Sequence, residues 1–174
     1  MTEQIDVALV ATVHDPDNRL LRLAGASLPT LKELYPSISM LCSAATHHDL
    51  FNLLEKGGVM VRKEGRPPSG HKGLGRTRRD ALQAGLAAGC GHFHLCDFDR
   101  ALHWINHYSD ELRTALVDIV SFDFLIMGRT PRAWATHPPV QNMTEALTNL
   151  VFVKIYGEEV DIAGGSRGLS RKAA

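Results

Sequence analysis

Long apolar runs, cysteine, aromatic residues and a surplus of charge of either sign are all scarce in this 174-residue chain. No stretch of 18 apolar residues occurs, so no transmembrane segment is expected. Three cysteines, Cys42, Cys90 and Cys96, are an odd and sparse set. That excludes a disulfide framework and makes a reducing cytoplasm the expected compartment. Met1 to Asp6 contain neither a basic nor an apolar segment, so no signal peptide is read there. Nineteen Lys and Arg balance 19 Asp and Glu. Without a positive surplus, non-specific binding to polyanions loses its driving force, and nucleic acid is not an expected partner. What is present is 44% hydrophobic and 22% charged residues. This is enough apolar surface for a core and too little net charge for disorder, and the length suits a single domain over residues 1–174.

Apolar runs and helical periodicity alternate along the chain. Ile5–Val13 is a nearly continuous apolar run, the pattern of a strand buried on both faces. Leu20, Ala24, Leu28, Leu31 and Tyr35 recur at steps of three and four, so a helix follows, with Pro29 expected to kink or split it. Ser37–Ala44 reads as a second strand and His48–Lys56 as a helix closed by Gly57 and Gly58. Val59–Arg62 reads as a third strand, residues 64–75 as a loop, Arg76–Ala88 as a helix and His92–Cys96 as a fourth strand. Helices are expected at Leu102–Tyr108, Glu111–Val120 and Thr144–Val153, with a fifth strand at Phe122–Met127. Residues 161–169 read as a glycine-rich loop and Ser170 as the start of a new helix. The alternation is that of βαβ units: an α/β fold with a mostly parallel sheet and helices on both faces. Ligands of such sheets sit beyond the carboxyl ends of the strands. That rule selects His14-Asp15, Ser43–Thr46, the 64–75 loop and Asp97–Arg100.

Within those segments, Asp97-Phe98-Asp99 follows directly on an apolar strand. Two carboxylates there suit a hard divalent cation, Mn²⁺ or Mg²⁺, with positions left for diphosphate oxygens; alternatively Asp97 caps the next helix and Asp99 pairs with Arg100. Residues 62–79 carry Arg62, Lys63, Arg66, Lys72, Arg76, Arg78 and Arg79 against the single acid Glu64. Gly70, Gly73 and Gly75 allow close backbone approach to an anion, a helix N-terminus follows, and Lys72 and Arg79 are the side chains aimed at a diphosphate. No aromatic residue between 62 and 92 is available to stack a base of single-stranded nucleic acid. Ser43 and Thr46 can bond a base or ribose, and are equally good as a helix N-cap, for which Thr46 or His47 is the candidate. His92, His94 and Cys96 share one strand face and His103 and His107 lie one helical turn apart. Neither set completes a four-ligand zinc site, so a hydrogen-bonded core histidine is expected instead. Arg167 is a possible anion contact in the late loop.

The order of these segments resembles the GT-A glycosyltransferases, in particular the family 2-like group that uses nucleotide-diphospho-sugars. Ala11-Thr12-Val13-His14-Asp15 is similar to the end of that family's first strand, which meets the nucleoside. Lys72-Gly73-Leu74-Gly75 with Arg78-Arg79-Asp80-Ala81-Leu82 resembles its glycine-rich turn and Arg-Asn-Ala helix, Arg79 matching the Arg and Asp80 standing where Asn is usual. His94-Leu95-Cys96-Asp97-Phe98-Asp99 is similar to the strand and Asp-x-Asp that hold metal and sugar nucleotide. The run from Gly164 to Ala173 resembles the acceptor-side loop and the Arg-containing helix after it.

The resemblance implies a metal-dependent transfer of a sugar from a nucleotide-diphospho-sugar donor to an acceptor hydroxyl. Asp99, supported by Asp97, would hold the cation, and Lys72, Gly73, Arg79 and Arg167 would face the diphosphate. His14, Asp15, Ser43 and Thr46 would face the nucleoside. Two departures qualify it. Ser43-Ala44-Ala45-Thr46 stand where an acid for the base is usual, and the catalytic carboxylate of inverting members lies beyond Ala174. Asp161 is the late acid beside the acceptor loop and so the candidate base, against a structural role in the turn. A nucleotidyltransferase predicts a basic glycine-rich loop after the first strand, which residues 11–17 lack. A non-catalytic domain that keeps the fold is the remaining alternative.

Overall fold

The computed structural model describes residues 4–65 and 73–174. Among them, six strands form one sheet in the order β3-β2-β1-β4-β6-β5. The central strand β1 (Val7–Val13) is parallel to β2 (Ile38–Cys42) on one side and to β4 (His92–Asp97) on the other. Strand β2 pairs in parallel with the edge strand β3 (Met60–Lys63). β1 forms because its apolar residues fill both faces. Val7, Leu9, Ala11 and Val13 enter the core beneath helices α1 (Leu21–Leu34), α2 (His48–Lys56), α4 (Phe98–His107) and α5 (Ser109–Ile119). Ala8 and Val10 enter a second core with Leu41, Phe93 and Leu82, the last from α3 (Leu74–Gly85).

The far end of the sheet departs from the sequence reading. Instead of a loop followed by a helix from Ser170, Arg167–Ser170 form β6, antiparallel to both β4 and β5 (Phe124–Ile126), and a turn follows. The glycine that looks like loop material is what lets the strand lie against α5. A Cβ on Gly168 would come within 2.7 Å of Ile119 Cγ1. Leu169 on the opposite face joins Phe93 in the second core.

Several helices also differ from that reading: α3 starts two residues earlier, at Leu74, and α4 four residues earlier, at Phe98. Helix α1 runs unbroken through Pro29. Proline removes one donor to the carbonyl of Gly25, but both residues face solvent, where water can take that acceptor. Between β5 and β6 stand a short helix, α6 (Pro131–Ala135), started by Pro131 after the Thr130 cap, and an 18-residue helix, α7 (Pro139–Tyr156), longer at both ends than its periodicity implied. The α2 boundaries are as read; of the two glycines after it, Gly58 takes the left-handed conformation (φ 80°).

Gly85 marks the tightest helix–sheet approach. Its ideal Cβ would lie 2.4 Å from Cγ2 of Val10, a stiff and fully buried side chain. Gly85→Ala should therefore lower stability by about 1–3 kcal/mol in urea unfolding, despite alanine's better helix propensity. A stabilised variant would show that α3 does not press on β1 as described.

Candidate functional site

The parallel register places Thr12 of β1 opposite Asp97 of β4, where both strands end. Thr12 Oγ1 donates to Asp97 Oδ1 at 2.7 Å, and Arg78 Nη2 of α3 donates to Asp97 Oδ2 at 2.7 Å. Asp97 is the residue before α4, yet its side chain caps no amide of that helix. Arg78 Nε is buried and has no partner among the described residues, so one strong donor is left for a ligand beside this carboxylate. Asp99, in the first turn of α4, is half exposed and lies 3.5 Å from Arg100 Nε.

The loop before β6 roofs this point. A side chain on Gly165 would press on Asp97 Oδ2 and Arg78 Nη2, at 3.3 and 3.4 Å. Its neighbour Ser166 is fixed from behind, because His94 Nε2 lies 2.7 Å from Ser166 Oγ while His94 Nδ1 lies 2.7 Å from the Tyr35 hydroxyl. His94 is thus the hydrogen-bonded core histidine expected from sequence. Burial lowers its pKa to about 4, so the ring is neutral at physiological pH. Arg167 turns back to donate to the carbonyls of Gly164, Ser166 and Ile162. It shapes the loop from within; burial and then the charge of Arg78 act against its cationic form.

In front of Asp97 opens a cavity of about 130 Å³ walled by Trp104 and Tyr108, with His103, Arg100, Arg132 and Ser166 at its margins. Its cations are already engaged. Arg132 pairs with Glu111 at 2.6 Å and lies over the Tyr108 ring at 3.7 Å, and Arg100 donates to Thr136 at 3.3 Å.

Asp161, by sequence a candidate base against a structural role, is engaged as an anchor in this structure. It accepts a two-pronged contact from Arg129, Nε to Oδ2 at 2.7 Å and Nη2 to Oδ1 at 2.8 Å. It also accepts from the Arg129 amide and from Asn149 Nδ2. Burial alone would raise its pKa, but these bonds overcome it and hold the carboxyl well below the usual range. Such a carboxylate is a poor proton acceptor. Arg129 also bonds Glu145 and lies over the Trp134 ring at 4.0 Å, so one guanidinium closes the neck of the 129–161 excursion.

The remaining predicted residues separate into exposed and structural ones. His14 Nδ1 lies 2.9 Å from Ser43 Oγ, and both stand at the ends of β1 and β2, partly open to solvent. Asp15 is buried and gives both oxygens to the Arg19 and Leu20 amides at the start of α1. Thr46 is buried and donates to the Val13 carbonyl. Both spend these bonds on backbone groups of the turns. Of the two cap candidates, His47 caps α2. Gly73 precedes α3, and Arg79 is exposed on it. Lys72, with Arg66, Gly70 and His71, lies outside the described residues. Arg78 rather than Arg79 reaches Asp97. The signal was present in the sequence, since Arg78 lies three and four residues before Ala81 and Leu82, the buried face of α3. The one close trio of metal-ligating side chains among the described residues is elsewhere, His47, His48 and Asp49 at the exposed start of α2.

The mixed, mostly parallel six-stranded α/β sheet is the fold of the GT-A glycosyltransferases, and this chain has that fold. Solved structures of Mycobacterium tuberculosis glucosyl-3-phosphoglycerate synthase are similar over 95% of the chain, at 15% identity and a TM-score of 0.54. The same enzyme in complex with uridine diphosphate matches at 16% identity and a TM-score of 0.52. With phosphoglyceric acid it matches at 15% identity and a TM-score of 0.54. The chain spans 57–58% of the length of these neighbours. No family model matches the sequence, and no curated protein matches it.

The anchoring role of Asp161 has a pH signature. Its folded-state pKa lies below the unfolded value, so the stabilisation is complete above the unfolded pKa, about 4, and is lost as pH falls towards the folded value. Asp161→Asn should cost about 3 kcal/mol at pH 7, because it leaves Arg129 half-paired. The gap to the parent chain should narrow steadily below about pH 4. A gap independent of pH in urea titrations would refute this.

Proposed function

We propose that the chain is a GT-A-type glycosyltransferase, or its donor-binding part, that transfers a sugar from a nucleotide-diphospho-sugar to an acceptor hydroxyl. The carrying observation is Asp97 at the carboxyl end of β4, fixed by Thr12 and Arg78 at the rim of a cavity. The fold shared with enzymes bound to uridine diphosphate and to phosphoglyceric acid supports the reading.

The donor set suits a divalent cation. Asp99 is half exposed and Asp97 retains acceptor capacity beyond its two bonds, since a carboxylate offers about four lone-pair sites. Asp99 would be the principal ligand and Asp97 the support. The cation, Mn²⁺ or Mg²⁺, would neutralise charge on the departing nucleoside diphosphate. Arg78 is the diphosphate contact this reading favours, by way of its unpartnered Nε. Lys72, Gly73 and the α3 N-terminus would complete the anion cradle. His14 and Ser43 would meet the nucleoside, being the accessible polar groups at the ends of β1 and β2. The acceptor hydroxyl would enter by the Trp104–Tyr108 wall, where Arg132 and Arg100 suit an anionic acceptor able to compete with Glu111 and Asp99. Transfer forms the bond from the acceptor oxygen to the anomeric carbon and breaks that carbon's bond to the diphosphate oxygen; the hydroxyl proton leaves to solvent or to a group other than Asp161.

Thermal-shift titration with UDP-, GDP- and ADP-glucose, with and without Mn²⁺, tests this. Stabilisation should require nucleotide-sugar and metal together. It should vanish in Asp99→Ala, persist in Asp17→Ala, and need about 10–100-fold more donor in Arg78→Ala. Release of nucleoside diphosphate on adding phosphoglycerate would then distinguish transfer from binding alone. No response to any nucleotide overturns the proposal.

A further inference from the structure

Helix α7 is inside out. Its polar residues Asn142, Glu145 and Asn149 point inward: Asn142 donates to the Trp134 carbonyl, Glu145 bonds Arg129, and Asn149 bonds Asp161 and the Ala163 amide. Val140, Met143, Leu147, Leu150, Val151 and Ile155 form the opposite face and are 47–77% exposed. Their spacing of three and four makes one continuous stripe, and no residue of the helix is buried.

We propose that this stripe is the contact of a symmetric homodimer, in which α7 packs antiparallel against α7 of a second copy with Leu147 near the two-fold axis. Three features favour a second copy. First, the stripe is self-complementary: reversing the helix about Leu147 sets Met143 against Val151 and brings apolar side chains together along the middle of the contact. Second, the charges fit the antiparallel arrangement. The sole ionisable residue beside the stripe is Lys154, since Glu145 is turned to Arg129. Antiparallel packing separates the two copies' Lys154, each then beside Val140 of the partner, and carries the acidic pair Glu158 and Glu159 to the same end, so that the net charge brought to the partner's helix N-terminus is negative, as favoured there. Parallel packing would bring each of these against its own like. Third, the area suffices. An 18-residue helix is about 27 Å long, and two such faces cover roughly 1,000 Å² together, at the threshold for a specific interface. An interface at that threshold is expected to be weak and reversible, so the dimer should form as concentration rises.

Sedimentation velocity from about 1 to about 200 µM should show monomer converting to dimer. Leu147→Asp and Leu150→Asp should remain monomeric across that range with unchanged circular dichroism, as expected of exposed positions. Leu147→Cys should form a disulfide-linked dimer under mild oxidation, while the buried Cys42, Cys90 and Cys96 of the parent chain do not. A parent chain that stays monomeric throughout, as when a different polypeptide covers the stripe, overturns the proposal, and so does a dimer that survives Leu147→Asp.

Discussion

The hydrogen-bonded contact of Thr12, Asp97 and Arg78 is the constraint on which the site depends. It joins the two central strands to α3 at the point where both strands run out. The parallel register makes it possible, because an offset of one residue would turn Asp97 to the other face of the sheet. With the carboxylate fixed, the Gly165 loop has something to close upon, and the cavity between that loop and α4 acquires a polar floor. The rear of the loop is held by buried His94, so the front and back of the roof are both tied to β4.

Among the described residues each arginine that lines the cavity has an acidic companion, Arg100 with Asp99, Arg132 with Glu111 and Arg129 with Asp161 and Glu145, as does Arg78 with Asp97 beside it, whereas Arg167 in the roof loop is spent on backbone carbonyls. This is the local form of the chain's overall neutrality. An anionic ligand would not meet bare charge; it would share or exchange existing partners. Recognition would then rest on geometry and on the orphaned donor of Arg78 rather than on long-range attraction.

Much of the scaffold was legible from residues alone. β1 announced itself as a doubly buried strand, and α2 was bounded by its own cap and glycines. The position of Asp97 at a strand end followed from the apolar run before it. What escaped was set by contacts distant in sequence. Arg167–Ser170 contain no apolar alternation to mark a strand; Phe93, Ile119 and Phe124 make it one. The partner of Asp161 was not legible because Arg129 lies 32 positions away. The choice between Arg78 and Arg79 turned on helix phase, which Ala81 and Leu82 could have settled. From sequence Thr144–Val153 read only as a helix, and which face turns inward is set by the polar anchors at Arg129 and Asp161.

The placement of β6 orders events in time. Strand β5 borders the sheet only through β6, which is made after α6 and α7. During synthesis β5 must wait, unpaired, for a partner roughly forty residues downstream, while β1, β2, β3 and β4 already have all their neighbours but one. The far third of the sheet is therefore the last for which all the strands are available. The cavity roof, built on the residues just before β6, comes into being together with it.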